Sequence, residues 1–470
     1  MTRETNVPEL SVTAPFDGSE IARLAVAGPA EIEVALSRAA AMYRDRDQWL
    51  ALSDRIEVLR RAADIMSGEA EALALKAAQE GGKPLVDSRV EVARAIDSLH
   101  VCIETLRSDA GHVIPMNVNA ASSGRIAMTR HEPIGVVVAV SAFNHPLNLI
   151  AHQVAPAVAA GCPVIVKPSE DTPLSCLRFV EILHEAGLPQ DWCRALVIND
   201  VAVAEALVTD PRVGFFSFIG SARVGWHLRS KLAPGTRCAL EHGGAAPVIL
   251  AQDADVDTAL QSILKGGFYH AGQVCVSVQR VFVDRHIARG FAMRLGAEAS
   301  KLTVGDPTNA ESDVGPLIRP GEVDRVQDWV REAVNAGAEL LAGGEKLSDS
   351  CYTPTVLFDP PADVRISSAE IFGPVVAIYP YDDIEDAFTR ANSLDYSFQA
   401  AVFARNLDTI MRAYARLDAS AVMVNDHTAF RVDWMPFAGL KQSGLGVGGV
   451  PHTLRDMQIE KMLVIRSPEL

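Results

Sequence analysis

The chain is poor in cysteine, in aromatic side chains and in long apolar runs, and it is short of positive charge. Seven cysteines occur in 470 residues, at positions 102, 162, 176, 193, 238, 275 and 351, and none forms a CxxC pair. An odd, scattered set argues against a disulfide framework or a zinc site, and no HExxH is present, so no metal is expected. The longest apolar stretch, Ile134 to Phe143, is far short of the ~20 residues a membrane helix needs. Lys and Arg number 43 against 59 Asp and Glu, a net charge of −16. That balance speaks against a non-specific nucleic-acid surface or an anionic-membrane docking face. The opening residues carry neither the basic nor the apolar segment of a secretory leader. With the cysteine usage of a reducing cytosol, this makes a cytoplasmic protein the expectation. There is no internal repeat and no low-complexity tract.

What is present is 49% apolar and 22% charged, an ordinary folded composition, at a length that suits two or three domains of roughly 100–200 residues. From residue 134 the pattern alternates. Apolar runs at Ile134–Phe143, Pro163–Lys167, Ala195–Ile198 and Val213–Ile219 read as strands, separated by helical stretches. Val375–Tyr381, Gln399–Ala404 and Ala421–Asn425 repeat the rhythm, with helices over Ile384–Leu394 and Leu407–Leu417 between them. Such alternation predicts parallel sheets covered on both faces, two α/β units with a hinge after Gly243–Gly244. Amphipathic helices fill 30–109, and the weakly periodic 118–133 reads as a hairpin arm.

Several segments can carry chemistry. Cys275 lies at a loop-to-strand junction in HAGQVCVSVQ, where a thiol needs dipoles or a base to become a thiolate. Taken alone, a single cysteine is more often a small buried hydrophobe. Glu241 ends an apolar run before two glycines and can serve as a general base or simply end a strand. Asn144 follows a strand, where an amide stabilises an oxyanion or caps a helix. Lys167 and Glu170 in KPSE suit ribose hydroxyls at a strand end, or form a solvated pair. In FIGSARVG, Gly220 permits a tight turn and Ser221 opens a helix, the place for a phosphate. The run from Gly444 to Gly449 satisfies GxGxxG literally, but no apolar strand precedes it and no βαβ unit can follow, so it reads as a loop.

Together, AFNHP, KPSE, FIGSARVG, LEHGG, GQVC, EIFGPV and MPFAGLKQSG resemble the motifs of the aldehyde dehydrogenase superfamily in order and context. The resemblance covers nearly the whole chain. It implies a Rossmann-like cofactor domain over 1–117 and 136–242, an α/β catalytic domain over 243–455, and an oligomerisation arm over 118–135 and 456–470. It further implies oxidation of an aldehyde to an acid with NAD preferred and NADP usable, in a homodimer or homotetramer. By the same resemblance Cys275 is the nucleophile, Asn144 and the Cys275 N–H hold the oxyanion, and Glu241 activates the hydrolytic water. Lys167 and Glu170 take the adenosine ribose, Gly220 and Ser221 lie near the pyrophosphate, and Glu370 and Phe372 position the nicotinamide ribose and ring.

There are departures: His242 in LEHGG, Ala438 in PFAG, Asn199 and Val201 where glycines are customary, and His145 where a bulky aromatic is common. His145, His152, Phe430, Arg431 and Trp434 are candidates for the aldehyde tunnel, and His145 and Arg431 hint at an anionic or hydroxylated substrate. Arg431 is equally readable as a solvated loop residue. Two rival functions stand beside this one. A coenzyme A-acylating enzyme would have no need of Glu241, and a non-catalytic protein retaining the fold would be free to lose Cys275 or Glu241.

Overall fold

The computed structural model describes residues 8–470. Two sheets organise the chain, and the crossing between them positions the site. In the first, the strands lie in the order Gly444–Leu445, Arg237–Glu241, Val213–Ile219, Val136–Val140, Val164–Lys167 and Cys193–Ala195. All pair in parallel except the short Gly444–Leu445, which is antiparallel to Leu240–Glu241. Val136–Val140 is nearly continuous valine because it is covered on both faces, and four of its five residues are buried. The chain runs outward from this strand to one side, then returns to its other side at Val213–Ile219. The crevice beyond the carboxyl ends of these two strands is a topological switch point, where doubly wound sheets bind ligands.

The second sheet follows the order Glu339–Ala342, Thr355–Phe358, Val375–Tyr381, Val278–Asp284, Ala246–Leu250, Gln399–Phe403, Ala421–Val424. Residues 242–245 link the sheets, leading directly from Arg237–Glu241 to Ala246–Leu250. A third, three-stranded sheet pairs Gln458–Arg466 with Arg125–Pro133 in unbroken antiparallel register, with Val113–Ile114 on the far side. Among the described residues, no helix is long and apolar enough to cross a membrane.

Three details differ from the sequence reading. The strand expected at Ile134–Phe143 spans only Val136–Val140. The strand expected at Ala195–Ile198 is Cys193–Ala195. Leu196 still donates to the Val166 carbonyl (2.9 Å), but the Val197 carbonyl is taken by Ala27 N–H (2.8 Å), so residues beyond 196 leave the ladder. Val197 and Ile198 are buried, which explains the apolar signal. Residues 444–455, expected in the catalytic domain, and the first two residues of the expected arm join the first sheet through Gly444–Leu445. The helix Val450–Asp456 buries Val450 and Leu454, followed by Met457, in the core formed by the N-terminal helices and the first sheet.

Candidate active site

The loop carrying Cys275 has an unusual backbone. His270, Ala271 and Gly272 follow one another in the left-handed region, with φ of 48°, 53° and 69°. Such a conformation costs a side-chain-bearing residue on the order of 1–2 kcal/mol, so the surroundings must impose it. Gln273 does much of this. Its amide nitrogen donates to the carbonyls of His270 (3.3 Å) and Pro316 (3.2 Å), and its amide oxygen accepts from Ile318 N–H (3.0 Å). The Gln273 carbonyl in turn accepts from the Asn144 side-chain amide at 2.9 Å. The buried Asn144 is thus oriented toward the Cys275 loop with one of its two amide hydrogens still available.

Three residues beyond Asn144 the chain is anchored by Glu91. That buried carboxylate accepts from Leu147 N–H (2.9 Å) and Asn148 N–H (3.0 Å), capping the helix Asn148–Ala160 from a distance, and pairs with the fully buried Lys83.

Glu241 is the last residue of its strand, and Gly220 N–H donates to its carbonyl at 3.0 Å. Its carboxylate fills the space a Cβ on Gly448 would need: Oε1 would lie 2.2 Å from such an atom. The glycine-rich loop set aside as a nucleotide fingerprint is therefore the wall behind this carboxylate. Burial raises the Glu241 pKa, opposed by the Arg431 charge. Burial also pushes the half-buried Cys275 thiol up to about 12; Arg431 opposes this, while Glu241 and Glu370 reinforce it. The resting group is a thiol, so a base must take its proton as it attacks.

Arg431 is mostly buried, with its guanidinium carbon 3.6 Å from the centre of the Phe437 ring. Its Nη2 lies 3.2 Å from His152 Nδ1, its Nη1 lies 3.9 Å from Glu241 Oε2, and its buried Nε has no partner. His152 Nε2 meets Asp433 at 2.7 Å, and Asp433 also receives both forks of Arg94 (2.6 and 3.1 Å). Although burial opposes it, His152 and Arg94 hold Asp433 well below the usual carboxylate range. Asp433 thus neutralises Arg94 and leaves Arg431 as an incompletely matched cation. His145 Nε2 lies 3.2 Å from the Tyr269 hydroxyl, and burial, with the charges of Lys83, Arg94 and Arg431, lowers its pKa so that it is neutral. Phe430 and Trp434 are exposed. Arg94 and Asp433 escaped the sequence reading because nothing local marks a pair 339 residues apart.

On the cofactor side, Lys167 Nζ sits 3.1 Å from Glu170 Oε1 at the end of its strand. Ser221 starts the helix Ala222–Arg229, is exposed, and makes no capping bond with its own hydroxyl. Beneath this turn lies His242, its Nδ1 2.8 Å from the Gly220 carbonyl and its ring edge-on to Phe218 and Trp226. Its Cε1 would come within 2.0 Å of a Cβ on Gly225, so His242 and Gly225 are a matched pair. Glu370 folds against the inter-sheet link, accepting from Gly244 N–H at 3.0 Å, and burial raises its pKa to about 7. Phe372, at φ 45°, packs edge-on to Phe143. A helix start with free donors, an unengaged Ser221 hydroxyl and a Lys–Glu pair at one switch point fit a dinucleotide. Ala438 is tolerated because the tight approach falls on Gly439, where a Cβ would lie 2.1 Å from the Ser443 carbonyl oxygen. Between Asn199 and Val201, Asp200 caps the helix Val201–Val208.

A doubly wound sheet with a helix start of free donors and a Lys–Glu pair beyond its strand ends defines the class of dinucleotide-binding proteins. The sequence profile of the aldehyde dehydrogenase family matches residues 2–463, and the chain belongs to that family. It is 36% identical to 3-sulfolactaldehyde dehydrogenase of Priestia aryabhattai, over 98% of this chain and 96% of that protein. Among solved structures it resembles aldehyde dehydrogenase 21 from Physcomitrella patens in complex with the reaction product succinate. The two have a TM-score of 0.94 and are 34% identical over 98% of this chain and 96% of that one. It also resembles a glyceraldehyde-3-phosphate dehydrogenase from Methanocaldococcus jannaschii complexed with NADP, with a TM-score of 0.93 and 32% identity over 98% and 100% of the two chains. The protein is an NAD(P)-dependent aldehyde dehydrogenase, an oxidoreductase acting on the aldehyde group.

Proposed function

We propose that the physiological substrate is an aldehyde with a distal anionic group, and that the residues above divide the reaction as follows. Cys275 Sγ bonds to the aldehyde carbon as its proton passes to solvent water, and the free Asn144 amide hydrogen and the Cys275 backbone N–H receive the oxyanion. The nicotinamide, when bound, supplies the hydride acceptor. Glu241 then takes a proton from water as the water oxygen bonds to the acyl carbon and the C–Sγ bond breaks. A carboxylate base beside the thiol supports release to water rather than to coenzyme A. Lys167 and Glu170 hold the adenosine ribose, Gly220 and Ser221 the pyrophosphate, and Glu370 and Phe372 the nicotinamide end. Glu170 favours NAD, because a 2′-phosphate would meet its carboxylate.

The observation that carries the substrate class is the buried Arg431 guanidinium, which among the described residues has an unpartnered Nε–H and no hydrogen bond to a carboxylate, Glu241 lying 3.9 Å away. A buried cation so placed is satisfied by a carboxylate, sulfonate or phosphonate. 3-Sulfolactaldehyde, the substrate in the relative's name, carries such a group. The test is kcat/KM for 4-oxobutanoate against its methyl ester. A preference of about 10²-fold or more for the carboxylate is expected, the scale of one desolvated charge-assisted bond; equal values would overturn the assignment. Seven unpaired cysteines support a cytoplasmic setting, and the unmatched arm supports a homodimer or a dimer of dimers.

A further inference from the structure

We infer that Arg431 couples the charge of the substrate to the strength of the general base, so that an anionic tail switches deacylation on. The inference rests on the anionic-substrate reading, but concerns a different event. Arg431 faces two ways. Toward Glu241, its Nη1 stands 3.9 Å from Oε2, close enough to act by charge and too far to lock the carboxylate by a hydrogen bond. Its Nε is buried with no partner, and Nη2 reaches His152 Nδ1 at 3.2 Å. The His152 ring is held by Asp433, and Asp433 is already paired with Arg94 and reaches Arg431 by charge alone, so among the described residues Glu241 is the one carboxylate within 4 Å of Arg431.

The charged and titratable groups around Glu241 are Arg431, the Cys275 thiol and, beyond the thiol, Glu370; behind Arg431 stand His152, Asp433 and Arg94. The Gly448 backbone closes the remaining side. Glu241 therefore feels one adjacent cation. With Arg431 unmatched, that cation stabilises the carboxylate and makes it a weaker base. When an anionic tail takes the free guanidinium donors, the net field at Glu241 falls, its proton affinity rises, and water is activated more effectively. An aldehyde without the anion still acylates Cys275, but its thioester persists. Selectivity is then exercised twice, at binding and again at hydrolysis.

The acyl-enzyme is formed from 4-oxobutanoate or from methyl 4-oxobutanoate, and its decay is followed by acid quenching and intact-protein mass across pH. In the wild type, the ester-tailed acyl-enzyme is expected to decay more slowly, with its acid limb at lower pH than that of the carboxylate. Arg431→Gln should speed decay of the ester-tailed species by roughly three- to tenfold, as expected for a base strengthened by one to two pKa units, and raise its acid limb. Arg431→Lys, which keeps the charge, should leave that decay slow. Decay of the ester-tailed species that is unchanged or slower in Arg431→Gln, with an unmoved acid limb, overturns the coupling. Should Arg431→Gln fail to fold, identical acid limbs for the two acyl-enzymes in the wild type overturn it as well. A wild type lacking any kcat/KM preference for the carboxylate defeats the substrate reading alone, because decay of the ester-tailed species still decides the coupling.

Discussion

Cys275 and Glu241 come from opposite sides of the inter-sheet link, and the proposed cycle needs both, the thiol to form the acyl-enzyme and the carboxylate to release it. The thiol is pushed up to about 12, so only a small fraction is ionised at neutral pH and attack depends on proton removal. Cys275→Ala should abolish NADH formation while leaving the melting temperature and cofactor binding intact; residual turnover near the wild-type rate would remove Cys275 from the mechanism. Glu241→Gln should slow steady-state turnover by about 10²–10⁴-fold, the usual contribution of a general base. A single burst of NADH should survive, since oxidation precedes hydrolysis, and rapid-mixing absorbance reads both phases. The raised Glu241 pKa has a direction too. The base works only when ionised, so the acid limb of the hydrolytic step should lie above the ordinary carboxylate range, and a limb at or below that range counts against the assignment. These residues were legible because each stands in a compact local motif. The cation that tunes them was legible only as a candidate, since its partners Arg94, His152 and Asp433 come from distant segments.

At the scale of elements, the parallel strands announced themselves as short valine-rich runs, but their ends were less legible: Ile134–Phe143 narrows to Val136–Val140, and beyond Leu196 a neighbouring loop captures the backbone at Val197. The left-handed run at 270–272 and the remote caps had no local signature, because both are imposed by tertiary contacts. Glu80 is such a cap: from the helix Ala70–Gly81 it accepts from Leu174 N–H (2.7 Å) and Ser175 N–H (2.8 Å) at the start of Leu174–Glu185. Burial nonetheless raises its pKa from 4.5 to about 7. The folded protein thus holds this proton more tightly than the unfolded chain does. The resulting stability is fully present below about pH 4.5 and lost as pH rises through about 7, up to roughly 3 kcal/mol. Thermal melts at pH 5 and pH 8 should show a smaller loss in Glu80→Gln than in the wild type. Equal losses would mean the carboxylate is ionised throughout, held by its two backbone donors.

At the scale of the whole molecule, the strand Gln458–Arg466 pairs, among the described residues, only with Arg125–Pro133, leaving its outer edge open. Met462, Leu463, Val464 and Ile465 are each 44–55% exposed, on both faces of the ribbon. An open edge with apolar side chains is a template for another chain. Replacing Leu463 and Ile465 together by Asp should reduce the particle to a monomer in sedimentation, with secondary structure retained; an unchanged sedimentation coefficient would place the assembly surface elsewhere. The return of residues 444–457 to the first sheet has a separate consequence. During synthesis, the strand Arg237–Glu241 and the helices beneath it leave the ribosome about 200 residues before the segment that covers them, at roughly 5–20 residues per second. For tens of seconds the nascent first unit lacks Val450, Leu454 and Met457 from its core and Gly444–Leu445 from its sheet edge. Release of the late segment, rather than translation of the first unit, should set when the nascent chain stops binding chaperones.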